Sequence, residues 1–222
     1  TIEGAGTVAF PNGTTWTSQT SGTSNKLIEV NYTNDIFVAV GESGTILTSS
    51  DGNSWTSRTS GSTKKLTEVI YANDTFMAVG YEGTILTSPD GTTWTSRTSG
   101  TTNRLLGVTY GNGLFVTVGY YGTILTSTDG TSWTSRTSGT SYNLQKVTYG
   151  NGLFVTVGFE GNILTSSDGT TWTERTSGTS EKLYEVTYGN GNFVTVGNTG
   201  TILTSSDGTS WDNRTSSTKN SL

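Results

Sequence analysis

The chain has 222 residues, only 30% of them hydrophobic and 13% charged, yet it carries six Trp, ten Tyr and seven Phe. That length allows a sizeable core, and so many aromatics argue against disorder. With neither Cys nor His and a net charge of −5, disulfides, thiolate chemistry and imidazole catalysis are excluded, and nothing marks a nucleic-acid or anionic-membrane surface.

No apolar run approaches the roughly 20 residues of a membrane-spanning helix, so membrane insertion is not expected, and no signal peptide is visible. The sequence opens on Thr1, which reads as a processed or excised chain. The first sixteen residues, ending in "FPNGTTW", read as a leading hairpin of two strands, c and d, closed by Trp16. Five fuller copies follow. Strand a is "LIEVNY" (Leu27 to Tyr32), then "LTEVIY", "LLGVTY", "LQKVTY" and "LYEVTY". Asn-Asp or Asn-Gly pairs follow each of these, chemistry suited to the positive φ of a tight hairpin. Strand b, "FVAVG" or "FVTVG", is apolar on both faces and belongs between sheets. Strand c is "GTILTS", and after an Asp-Gly turn comes strand d, "WTSRTS", polar and therefore outermost. No segment has helical periodicity.

The six tryptophans fall at 16, 55, 94, 133, 172 and 211, always 39 residues apart. A fixed period near 40 with four short strands per unit predicts an all-β fold, a β-propeller of 39-residue four-stranded repeats. We expect one domain over 1–222, with five full repeats over about 17–215 and a tail over 216–222. Five blades are favoured because every ring needs its inner strands. The alternative is six, one of them incomplete, whose open edges would invite a strand-exchanged homo-oligomer.

The recurring Ser-x-Asp-Gly-x-x-Trp phrase resembles the Asp-box (BNR) repeat of sialidases and of many non-enzymatic propellers. The longer "VGxxGTILTSxDGxxW" resembles the propeller repeats of photosystem II assembly factors and of bacterial surface proteins. Both resemblances imply the propeller fold. A residue that recurs in every copy serves the fold. Asp51, Asp90, Asp129, Asp168 and Asp207 are thus read as turn residues accepting backbone N–H bonds. Trp16, Trp55, Trp94, Trp133, Trp172 and Trp211 are read as plugs between sheets, each burying on the order of 200 Å². Arg58, Arg97, Arg136, Arg175 and Arg214 are likewise a feature of strand d.

Positions that differ between copies are where a ligand site would lie. They cluster in the b–c turns and the d–a linkers. The candidates are Tyr81, Glu82, Asn103, Arg104, Tyr120, Tyr121, Tyr142, Asn143, Phe159 and Glu160, aromatics beside hydrogen-bonding groups, as a sugar receptor requires. Strand a offers a lesser candidate: Glu29, Glu68, Lys146 and Glu185, with Gly107 interrupting the series, could line a channel. No metal site and no cofactor are expected. The leading functional reading is a non-catalytic, lectin-like propeller, extracellular or at a cell or virion surface, with a glycan or surface protein as partner. The alternatives are a protein-interaction or assembly scaffold, or a repeat array, engineered or excised, with no selected ligand. A sialidase-type hydrolase would need a unique acid–base constellation, and the repeats leave none.

Overall fold

The computed structural model describes residues 17–222; the expected leading hairpin, with Trp16, lies outside the described residues. Two compact units follow one another, the first running to Thr98 and the second beginning at Ser99. The first holds β1 (Leu27–Thr33), β2 (Ile36–Gly41), β3 (Ile46–Ser49) and β4 (Thr56–Arg58), then β5 (Leu66–Ala72), β6 (Thr75–Gly80), β7 (Ile85–Ser88) and β8 (Thr95–Arg97). The second holds β9 (Leu105–Gly111), β10 (Leu114–Gly119), β11 (Ile124–Ser127) and β12 (Thr134–Arg136). It continues with β13 (Leu144–Gly150), β14 (Leu153–Gly158), β15 (Ile163–Ser166) and β16 (Thr173–Arg175), and ends with β17 (Leu183–Gly189), β18 (Asn192–Gly197), β19 (Ile202–Ser205) and β20 (Asp212–Arg214).

Each group of four is an antiparallel meander in sequence order, giving five four-stranded sheets, the blade unit of a propeller. The a–b hairpins turn on residues of positive φ, such as Asn34 (50°) with Asp35 (61°) and Asn112 (49°) with Gly113 (75°). Two successive left-handed residues match the right-handed twist of the flanking strands. Helical geometry among the described residues is confined to five single 3-10 turns, one in each b–c connection.

Strand b supplies most of the apolar residues that face a neighbouring sheet, with a buried threonine (Thr117, Thr156, Thr195) in three of the five copies, and the cores form there. In the first unit, Val38, Val40 and Ile46 of one sheet pack against Leu66, Val69, Phe76, Leu86 and Trp94 of the next. In the second, Val116, Val118 and Ile124 meet Leu144, Val147, Phe154 and Leu164. Val155, Val157 and Ile163 likewise meet Leu183, Val186, Phe193 and Leu203. Strand d is an edge strand in every sheet.

The tryptophans are shallower than the sequence implies. Trp94 is 9% exposed, but Trp55, Trp133, Trp172 and Trp211 are only half-buried. The deep plug is the strand-b phenylalanine, since Phe76, Phe115, Phe154 and Phe193 are fully buried. Trp94, Trp172 and Trp211 lean on such rings, Trp172 on Phe154 with centroids 6.4 Å apart. Its position is set by the polar end: Nε1 of Trp172 donates to the Gly169 carbonyl at 3.1 Å. Trp94 is tethered in the same way, its Nε1 donating to the Gly91 carbonyl at 3.0 Å, so the tether fixes the position of the ring and not its depth.

Candidate functional site

Each sheet has two contrasting ends. At the Asp-Gly end, the same network recurs in all five copies. In the fourth sheet, Asp168 Oδ1 accepts from the backbone N–H groups of Thr170 (2.8 Å) and Thr171 (2.9 Å) and from Ser166 Oγ (2.9 Å). Ser166 Oγ in turn accepts from Gly169 N at 2.8 Å. The hydroxyl of Thr170, then these N–H groups, hold the Asp168 carboxyl well below the usual carboxylate range. Asp90 and the Thr92 hydroxyl repeat the arrangement. At Asp51, Asp129 and Asp207 the backbone N–H of the third following residue dominates. These carboxylates spend their lone pairs on their own turns. The strand-d arginines are used similarly: Nε of Arg58, Arg97, Arg136, Arg175 and Arg214 donates to a strand-c threonine hydroxyl at 2.7–2.8 Å.

The other end keeps its backbone and changes its side chains. The b–c turns span Glu42–Gly44, Tyr81–Gly83, Tyr120–Gly122, Phe159–Gly161 and Asn198–Gly200. Their middle residues, Ser43, Glu82, Tyr121, Glu160 and Thr199, all have left-handed φ of 53–57°. In L residues that conformation is disfavoured, so five non-glycine examples show how firmly the turn is held. The linkers hold it. In the third sheet, Tyr120 N donates to the Arg104 carbonyl and Gly122 N to the Tyr142 carbonyl, both at 2.9 Å. Tyr121 N donates to Asn143 Oδ1 at 3.0 Å, and Asn103 Nδ2 to Thr123 Oγ1 at 2.8 Å. Asn103, Arg104, Tyr120, Tyr121, Tyr142 and Asn143 are thereby gathered in one place.

The candidates differ in what they can still do. Tyr81, Tyr120 and Phe159 are half-buried, and each is covered by a cation that precedes a strand a, that of the same sheet for Tyr81 and Tyr120 and that of the next sheet for Phe159. Lys65 Nζ is 5.4 Å from the Tyr81 centroid, Arg104 Cζ 5.1 Å from Tyr120, and Lys182 Nζ 4.1 Å from Phe159. Such cation–π contacts occupy the faces a sugar would stack on, which corrects the expected row of three aromatic platforms. Glu82 is paired with Lys64 at 2.6 Å. The open aromatics are Tyr121, 70% exposed, and Tyr142, 47% exposed. Tyr121 borders an open cleft of about 480 Å³ also lined by Asn103, Arg136 and Ser138. Glu160 borders a cleft of about 500 Å³ in the next sheet, with Asn162, Glu174 and Arg175. The cover of Tyr81 and Tyr120 was legible in the repeat, since Lys65 and Arg104 share one position, whereas the repeat of Phe159 has Asn143 there and its cation comes from the next repeat; sequence reasoning treated only Arg104 as a site residue.

On strand a, Glu68 is buried, and Lys146 pairs with Glu185 at 3.5 Å. Burial raises the Glu185 carboxyl, opposed by the Lys146 charge. A Cβ at Gly107 would stand 3.0 Å from the Lys146 Cα, so glycine there lets β9 and β13 approach closely. Among the described residues no group of three or more His, Cys, Asp or Glu is placed to hold a metal ion. No helix among them is long and apolar enough to cross a membrane.

Repeated four-stranded meanders with invariant turns at one end and variable turns at the other define a β-propeller. The DUF6242 beta propeller domain matches residues 11–140, more than half of the chain, and the chain belongs to that family. No curated protein matches the sequence. Among solved structures, YCF48 from Cyanidioschyzon merolae is similar at a TM-score of 0.70 and 15% identity, covering 94% of this chain and 77% of that one. A structure of YCF48 bound to D1 peptide is similar at 0.67 and 17%, covering 95% and 70%. The computationally designed Ika8 protein is similar at 0.74 and 12%, covering 89% and 64%.

Proposed function

We propose that this propeller is a non-catalytic protein-interaction scaffold that takes an extended segment of a partner on the end of its sheets built from b–c turns and d–a linkers. The carrying observation is the third sheet. There Tyr121 and Tyr142, the open aromatics, stand on backbone fixed by the Gly122 N to Tyr142 O bond, beside a cleft lined with Asn103 and Arg136. Aromatic and arginine anchors on rigid backbone, rimmed by hydroxyl and amide groups, suit a peptide. A YCF48 structure holds a peptide, which supports this choice by analogy of fold.

The turn phrase at the opposite end fits the Asp-box reading, with its carboxylates committed to the fold. A lectin-like role draws less support, because the cations over Tyr81, Tyr120 and Phe159 leave few rings for sugars. We place the single domain over 1–222 and its working site at a surface, outside the cell or on it. Parallel glycan and peptide arrays test the choice. Peptide binding lost in a Tyr121→Ser, Tyr142→Ser variant supports the scaffold. Glycan binding competed by free sugar, with no peptide bound, overturns it.

A further inference from the structure

The fourth sheet departs from its siblings in one place. Where the other b–c turns are followed by Thr45, Thr84, Thr123 and Thr201, it has Asn162; where the other d strands carry Ser57, Ser96, Ser135 and Asn213, it has Glu174. Together with Glu160 these two residues line the same cleft of about 500 Å³. In three of the sibling turns the threonine hydroxyl donates to the first carbonyl of the turn at 2.7 Å: Thr45 to Glu42, Thr84 to Tyr81 and Thr123 to Tyr120. Asn162 instead turns its Nδ2 to Glu174 Oε1 at 3.2 Å. It is 4% exposed, and its Oδ1 is buried with no hydrogen-bond partner.

A buried acceptor is ordinarily satisfied, so a donor is missing here. The Nδ2 bond to Glu174 fixes which way the amide points. The other groups of the cleft say what kind of donor fits. Glu160 is exposed and Glu174 has lone pairs to spare beyond its bond from Asn162. Arg175 has its Nε engaged by Thr165 Oγ1 at 2.8 Å. Two carboxylates and one amide oxygen against one guanidinium leave an acceptor-rich, net-negative site. Such a site repels anions and welcomes a group with several N–H donors and a positive charge. Two carboxylates are few for a hard divalent ion, which draws six to eight oxygens.

We propose that this cleft is a subsite for the lysine or arginine side chain of a partner protein's extended segment, an inference that rests on the scaffold reading above. The test uses fluorescein-labelled Gly-Arg-Gly-Arg-Gly and Gly-Lys-Gly-Lys-Gly, with Gly-Glu-Gly-Glu-Gly as control. Binding to the whole chain is followed by anisotropy at physiological ionic strength. At least one basic peptide should bind and the acidic one should not. Glu174→Gln and Asn162→Thr should each weaken binding by about tenfold or more. Asp74→Asn and Asp212→Asn remove as much charge elsewhere and should change nothing. Because Asn162→Thr installs the residue of the other four turns, its melting temperature should match wild type, separating a lost contact from a lost fold. Equal weakening by every charge variant, absence of binding, or uptake of Ca²⁺ alone would overturn the subsite. If the basic peptides fail while peptides captured at Tyr121 and Tyr142 still bind, the subsite is wrong and the scaffold stands.

Discussion

Gly122 lies directly beneath the Thr140 carbonyl: a Cβ built on it would sit 2.0 Å from that oxygen and 2.6 Å from Ser138 Oγ. The b–c turn and the linker that follows strand d are therefore pressed together with no room for a side chain. Gly122→Ala must push the linker away, breaking the Gly122 N to Tyr142 O bond. Gly139 has a similar positive φ of 79° but nothing within 4 Å of its Cβ position. Gly139→Ala should cost only backbone strain, about 1–2 kcal/mol, while Gly122→Ala should cost clearly more. Urea denaturation of the two variants measures the difference.

Phe154 and Trp172 divide the labour of the fourth sheet's core. Phe154 is fully buried, whereas Trp172 is half-exposed and hangs from its turn by Nε1. Phe154→Ala should cost about 3–5 kcal/mol as a cavity-forming truncation, and Trp172→Ala less. A larger loss at Trp172 would restore the reading of tryptophan as the plug.

The five turn aspartates make a sign prediction for pH. Their carboxyls titrate lower in the folded chain than in the unfolded one, because hydroxyl and backbone N–H donors favour the ionised form. Each stabilisation is thus present above the unfolded value near 3.9 and is lost as pH falls below it. Glu185, raised by burial, acts in the opposite sense. The melting temperature should be level from neutral pH down to about pH 5 and fall steeply below about pH 4. Asp129→Asn should make that fall shallower, and thermal scans across the pH range check both slopes.

The strands were legible because each short apolar run is bounded by Asn-Gly or Asp-Gly chemistry, and a 39-residue period repeats the message. The second-unit hairpins fall where the Asn-Gly pairs put them, and strand d is at the edge where its polarity puts it. The tryptophan depth was not legible: periodicity shows that a residue is needed, not how far a tethered ring can sink. The candidate residues were located by their variation among copies, but their availability depends on neighbours remote in sequence. Arg104 reaches Tyr120 across sixteen residues, and Lys182 covers Phe159. In the sequence Asn162 is one replacement of a repeated threonine, and only folding brings its unpaired oxygen and Glu174 into the same cleft.

The central claim is that a partner segment docks on the linker end of the third sheet, and a selection tests it directly. A random peptide display library is panned on the whole chain, with the Tyr121→Ser, Tyr142→Ser variant as counter-selection and individual peptides titrated on both. Because Tyr121 and Tyr142 are largely exposed, the variant should melt within a few degrees of wild type. Selected peptides should bind wild type and lose about tenfold or more of their affinity on the variant, as anchor truncation does. Peptides that bind both proteins equally, or whose binding is abolished only by changes in the Asp129 turn, would contradict the account.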